Sequence, residues 1–400
     1  MSSVTVNLER NKAVKISIVC VATYLVSYFT RNLLSVCTPM LLETGNYTKE
    51  SIAVLSSIYM IVYAAGQLIN GTIGDYVKPK FMAALGLCIS GTGLILFPYL
   101  AENLQFLCFT LLGFGLSMLR GPLVKTVSEN TKPGYARVCC VMLSVTAFAG
   151  PLLASLAAVA LSWNKVFVIA GIISFVFAIF AFFMFTRFEI KGMIHDILLR
   201  GPRRRIDLLG VFKLDHFAIY LFLAMVIEAL ISSVGFWIPT YLTEYLGYST
   251  ETAGGWYSFM SLLKSICPLL CLAIVALFHD DCFKMMGVMF AATTLFFLTM
   301  LLFHAKLPSV LILTVARVFS GFASATMWTI YIPSLGKSGR VSSANGVLDC
   351  CGYIGASAAN VGLAYVIERI GWEKVPLSFA VISFLGVALC VIGIKARKER

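Results

Sequence analysis

The sequence predicts an all-α membrane protein of twelve transmembrane helices in two six-helix halves. Three observations carry this: a shortage of charge, recurring apolar runs of spanning length, and a lopsided placement of Lys and Arg. Hydrophobic residues fill 59% of the 400 positions and charged residues only 12%, with a mean hydropathy of +0.90. A soluble domain carries about 25% charged residues, because its surface must face water. This chain has too little charge for such a surface, and a bilayer accounts for the apolar excess.

About 20 apolar residues cross the hydrocarbon as a helix. That ruler places the first six spans at about Val14–Cys37, Ser51–Ile73, Phe81–Tyr99, Leu104–Val124, Val138–Leu161 and Val166–Phe185. After a polar stretch come Phe217–Ile238, Ala253–Leu277, Phe283–Phe303, Val310–Ile332, Ser343–Val366 and Leu377–Ile394. The first run has no small-residue cleavage site before Arg31 and reads as a span, not a removed signal. An even number of spans returns both termini to one side.

The basic residues say which side. Of 31 Lys and Arg, 22 fall at the termini and in the loops on one side; five (Lys49, Lys165, Lys306, Arg369 and Lys374) lie on the other. Arg31, Arg120, Lys264 and Arg317 lie within spans. This asymmetry predicts a multi-pass protein of the cell membrane with both termini cytoplasmic. The formal net charge of +12 is therefore a topology signal and not a nucleic-acid surface. The twelve cysteines sit mostly inside apolar runs and read as small buried hydrophobes. Neither they nor the four histidines have metal-type spacing, and no metal or cofactor is expected.

The polar stretch Arg187–Asp215, with Arg200, Arg203, Arg204 and Arg205, predicts three segments. These are a six-helix half at 1–186, a basic cytoplasmic loop at 187–215 that suits anionic lipid, and a second half at 216–400. The halves echo each other. Thr38-Pro39 precedes Asn46-Tyr47-Thr48-Lys49-Glu50, and Ile238-Pro239 precedes Gly247-Tyr248-Ser249-Thr250-Glu251. Asp75 after span two has a weaker echo in Asp280 after span eight. Repeated six-span units characterise carriers with a midplane site. Asn46-Tyr47-Thr48 also fits a glycosylation sequon, a weak signal.

Between spans two and three runs Gly71-Thr72-Ile73-Gly74-Asp75-Tyr76-Val77-Lys78-Pro79-Lys80. It resembles the loop signature of the major facilitator superfamily, Gly-x-x-x-Asp-(Arg/Lys)-x-x-x-(Arg/Lys). The resemblance makes Gly71, Asp75, Lys78 and Lys80 a gating motif, with the acid engaging basic groups and a neighbouring helix to hold one conformation closed. A narrower resemblance lies in Tyr28-Phe29-Thr30-Arg31 with Pro39, in Trp237-Ile238-Pro239-Thr240-Tyr241-Leu242, and in Ala344-Asn345-Gly346 with Gly352-Tyr353-Ile354-Gly355 and Gly371-Trp372. These are similar to the organophosphate:phosphate antiporters, which include glycerol-3-phosphate and hexose-phosphate transporters. Ala149-Gly150-Pro151 is similar too, though Gly-Pro bends are common in spans. In that family two arginines clamp the substrate phosphate. Arg31 matches the first; Ile231 stands at the second, and Leu143 replaces the family's span-five histidine.

Charges at bilayer depth are expensive and default to function. Arg31 shares a face with Tyr28 one turn away, and its fork suits a carboxylate or phosphate. Arg120, ahead of Gly121-Pro122, either supplies a second anion-binding cation or snorkels to the surface. Glu228 and Lys264, near the middles of spans seven and eight, read as a structural ion pair or as a pair opened by protons or substrate. Tyr59, Tyr63 and Gln67 repeat at four-residue spacing beside Gly66 and Gly71, which fits close packing or a lining role. Arg317, in Arg317-Val318-Phe319-Ser320-Gly321, resembles a superfamily helix motif and reads first as packing. Asp349 lies one turn from Asn345 in span eleven.

The candidate substrate-binding set is Arg31, Tyr28, Arg120, Lys264, Glu228, Tyr59 and Tyr63. There is no catalytic constellation and no phosphate-binding loop for ATP, so no enzyme is expected. The expectation is a monomeric secondary carrier that moves a small organic anion (organophosphate, sugar acid or carboxylate) by alternating access. Protons or phosphate would be the coupling ion. The rivals are a membrane sensor on the same scaffold, since the antiporter family contains a hexose-phosphate sensor, and a proton-coupled exporter of cationic or neutral compounds using Glu228 and Asp349.

Overall fold

The structure, a computed structural model, describes residues 3–195, 209–303 and 305–398. Arg200, Arg203, Arg204 and Arg205 lie outside the described residues. Among the described residues there is no strand, and helices suit hydrocarbon because each satisfies its backbone N–H and C=O groups within its own segment.

Among the described residues, twelve helices are long and apolar enough to cross a membrane. They are Asn7–Glu43, Lys49–Tyr76, Pro79–Tyr99, Glu102–Asn130, Pro133–Ala160 and Trp163–Ile190, then Phe217–Tyr245, Thr250–Phe278, Cys282–Met300, Lys306–Ser338, Val341–Arg369 and Trp372–Arg397. They are numbered here as spans one to twelve. Most run a few residues beyond the apolar stretches, because a helix continues through its polar ends. Their outer faces carry bare apolar side chains such as Val159, Phe183 and Leu295, which water would not tolerate in such numbers and lipid does.

The chain divides into two compact units. The first comprises Met1–Val211 with Ile332–Val347; the second comprises Phe212–Tyr331 with Leu348–Arg400. The end of span ten and the beginning of span eleven thus belong with the first unit, and span eleven is shared at Val347–Leu348. The first unit has an aromatic core in which Phe97 packs on Phe167, with ring centroids 4.6 Å apart, and on Phe109 at 5.2 Å. Tyr47 and Trp163 flank the same ring. The second unit has its core around Leu230, Phe297, Leu313, Phe379 and their neighbours.

The sequence echo between the halves has a structural meaning. Thr48 caps span two, accepting from Ser51 N at 3.1 Å while its own N donates to Ser51 Oγ at 3.0 Å. Ser249 caps span eight, accepting from Thr252 N at 3.2 Å. In each case a glycine with positive φ, Gly45 or Gly247, makes the preceding turn. A β-hydroxyl at the cap satisfies one of the donors a helix start leaves open. Asp281 caps span nine, accepting from Phe283 N at 3.1 Å and Lys284 N at 3.2 Å, and Asp280 occupies the left-handed turn before it. The twelve cysteines are free thiols, buried or half-buried.

Candidate functional site

In the first unit, span one is helical to Arg31, breaks at Asn32 and resumes as Leu33–Glu43. Asn32 Nδ2 donates back to Tyr28 O at 2.6 Å. At this break the Arg31 guanidinium carbon lies 5.1 Å from the ring centre of Tyr28, 5.9 Å from that of Tyr59 and 5.2 Å from that of Tyr63. Tyr59 and Tyr63 stack at 5.7 Å and are both buried. The four-residue spacing on span two therefore presents two rings to one cation, and aromatic faces stabilise a desolvated guanidinium by about 2 kcal/mol. Four predicted site residues are brought together here.

Gly150 explains how span one comes so close to span five. A Cβ at position 150 would lie 2.6 Å from the Tyr28 backbone carbon. The Gly-Pro pair thus serves a close backbone approach beside Tyr28 as well as any bend at Pro151.

Asp75 ends up as a helix cap. Its Oδ1 accepts from Ser342 N at 2.9 Å, and its Oδ2 accepts from Ser343 N at 2.9 Å and from Ser343 Oγ. These are the first donors of span eleven, where the helix dipole favours an anion. Gly71 makes the approach possible: a Cβ there would lie 2.8 Å from Gly346 Cα. The two basic residues of the motif go elsewhere, for Lys80 and Lys78 pair with Glu189 at 2.7 and 3.3 Å.

Sequence reasoning missed Lys125. It is fully buried, and its Nζ donates to Gly74 O at 3.2 Å and Asp75 O at 3.0 Å, closing the end of span two. Counted from sequence it was one more loop cation. The available signal was its place in the helix Arg120–Asn130, four residues past Gly121 and between the apolar Leu123, Val124 and Val127. Arg120 begins that helix after span four breaks at Met118–Leu119. It is half-buried, is partnered within the protein, and its charge reaches Cys140 of span five.

The second unit gathers Glu228, Lys264 and Arg317. Glu228 Oε1 accepts from Trp328 Nε1 at 3.4 Å, and its stem lies against Gly352. Trp328 is on a wide-turn segment, Thr326–Tyr331, of the kind often found at functional sites. Lys264 is half-buried within electrostatic reach of both Glu228 and Arg317. Arg317 is only 6% exposed. Its Nη2 donates to Ser261 Oγ at 3.3 Å and its guanidinium covers the Tyr257 ring at 5.0 Å. Asp349 is buried and partnered. Among the described residues no group of three or more His, Cys, Asp or Glu side chains could hold a metal ion.

Twelve spans, a carboxylate-capped helix start beside a Gly-x-x-x-Asp loop, and charges held at span depth define a polytopic membrane protein of the solute-carrier type. The family model of the Major Facilitator Superfamily matches residues 20–287, and the chain belongs to that superfamily. The solved structures agree on the fold. The Escherichia coli fucose:proton symporter superposes with a TM-score of 0.71 at 11% identity, covering 95% of this chain and 98% of that one. The human organic anion transporter gives 0.68 at 13% identity, covering 94% and 99%.

Among curated proteins, the membrane sensor protein UhpC of Salmonella typhimurium is 23% identical over 156 residues, 38% of this chain and 35% of the sensor. A probable hexose phosphate transport protein of Chlamydia trachomatis is 28% identical over 74 residues, 18% of this chain and 16% of that protein. The matched stretches thus span well under half of these relatives' own length.

Proposed function

We propose that this chain is a secondary carrier for a small organic anion, working by alternating access in the cell membrane with both termini cytoplasmic. The observation that carries the reading is Arg31, a guanidinium held at span depth among three tyrosine rings. Aromatic faces orient the cation, and its planar N–H fork suits a carboxylate or phosphate. The names of the hexose phosphate transport protein and the organic anion transporter point to the same chemistry. In this reading Tyr28, Tyr59 and Tyr63 position Arg31. Asp75, by capping span eleven, stabilises one of the two conformations the cycle alternates between, and Lys125 fixes the backbone that carries Asp75. Two six-helix halves, 1–186 and 216–400, joined by the basic loop 187–215, move as the alternating elements. The protein works as a monomer, driven by a proton gradient or by exchange for phosphate.

Counterflow in proteoliposomes tests this. Loaded gluconate, glycerol 3-phosphate or inorganic phosphate should accelerate uptake of the labelled anion, while fucose should not. The sensor reading is favoured by one observation, the match to UhpC, and predicts anion binding without counterflow. Acceleration by a cationic solute instead would support the exporter reading. Reporters fused at the two termini should read cytoplasmic, and one inserted between Glu43 and Lys49 should read outside.

A further inference from the structure

The second unit contains an arginine whose donors outnumber its partners. A guanidinium has five N–H donors. For Arg317 the Ser261 hydroxyl takes one from Nη2, and Tyr257 supplies a side-chain hydrogen bond and a ring face. Nε and Nη1 are buried with no hydrogen-bond partner. Leaving a charged donor unsatisfied in a buried place costs more than the 1–3 kcal/mol or so of a neutral one, and charged groups within spans are rarely left without partners.

Its neighbours raise that cost. Lys264 is a second cation within electrostatic reach of Arg317, and two adjacent cations repel. Glu228 is the carboxylate within reach of Lys264, leaving this trio with one net positive charge. Gly235 of span seven keeps the side of the guanidinium that bears Nη2 clear of a side chain. A Cβ added at Gly235 of span seven would still be 3.8 Å from Arg317 Nη2 and 4.0 Å from the Tyr257 hydroxyl. Gly321, one turn beyond Arg317 on span ten, is closed by Lys264 and Cys267, which holds the lysine stem toward Arg317.

We propose that Arg317, with Lys264 beside it and Tyr257 and Ser261 orienting it, is a binding site for a singly charged oxyanion such as a carboxylate or a phosphate monoanion. The inference rests on the organic-anion reading and adds to it a second recognition point and a charge class. An oxyanion there accepts from the unpartnered guanidinium nitrogens and separates the two cations, and Glu228 keeps the net charge too small to favour a dianion. A packing role for Arg317 accounts for its burial but leaves Nε and Nη1 unexplained.

The test is equilibrium binding of three probes to the purified full chain in lipid nanodiscs: gluconate as a monoanion, glycerol 3-phosphate as a dianion and fucose as a neutral sugar. The expected result is that the unaltered chain prefers gluconate. Arg317→Gln should weaken it at least tenfold while the melting temperature of the empty protein stays within a few degrees. Lys264→Gln should weaken gluconate less and narrow the preference for it over fucose. If folded Arg317→Gln keeps the original gluconate affinity while Arg31→Lys loses it, the inference is overturned and the carrier reading stands. If no probe binds the unaltered chain, both fall. Should Arg317→Gln not fold, Arg317→Lys decides: weakened gluconate binding supports the site, and undiminished binding removes it.

Discussion

Arg31 and Arg317 are both arginines at span depth, and the structure treats them differently. Arg31 is half-buried and meets three tyrosine rings presented by two helices. Arg317 is almost wholly buried, has one ring face, one serine and a neighbouring lysine, and keeps two nitrogens without partners. The first surrounding stabilises a cation by itself. The second leaves a deficit that an anion would fill. Depth in a bilayer marks both arginines as significant, and the unpartnered nitrogens single out Arg317 as the one whose shell an anion would complete.

The largest effect is expected at Arg31. Arg31→Lys keeps the charge and loses the planar fork, and the ammonium is smaller and more strongly hydrated. Counterflow should fall at least tenfold, about 1.4 kcal/mol. Undiminished counterflow would mean that Arg31 stabilises the break in span one and recognises nothing.

A smaller effect, on stability and not recognition, is expected at Asp75. Asp75→Asn removes the charge facing the start of span eleven and one of the two acceptor oxygens used by Ser342 and Ser343. A hydrogen bond to a charged group contributes about 1.5–3 kcal/mol, so thermal unfolding in detergent should shift down by several degrees. Binding of gluconate should survive, because neither arginine is touched. An unchanged melting temperature would show that the cap is dispensable.

The two regions were unequally legible in the sequence. The twelve spans and the Gly71–Asp75 loop follow from length, hydropathy and motif, which are local properties, whereas the break in span one at Asn32 does not. The tyrosine faces around Arg31 were half legible: the spacing of Tyr59 and Tyr63 fixes their shared face, but not that Arg31 meets it. Arg317 was read as packing because it stands in a small-residue helix motif. Its exceptional feature is an imbalance between donors and partners contributed by spans eight and ten, and no single stretch of sequence displays that. Lys125 was hidden for the same reason, since its acceptors are backbone carbonyls fifty residues earlier in the chain. In place of Arg317, sequence reasoning turned to Arg120 as the compensating cation.

The smallest effect is expected at Arg120, and it sharpens the comparison most. Arg120 and Arg317 are rival sources of a second cation, and they differ in what they lack. Arg120 opens a helix, is half-buried and already has a partner in the protein, and its charge can reach a polar surface along its stem. Arg317 is deeper and under-partnered. Removing a cation that already has a partner costs packing and local electrostatics; removing one that completes its shell with substrate costs substrate affinity. Arg120→Gln should therefore change gluconate binding less than threefold, under about 0.7 kcal/mol, against at least tenfold for Arg317→Gln. The reverse ranking, with both variants folded, would move the second anion contact to span four and return Arg317 to packing.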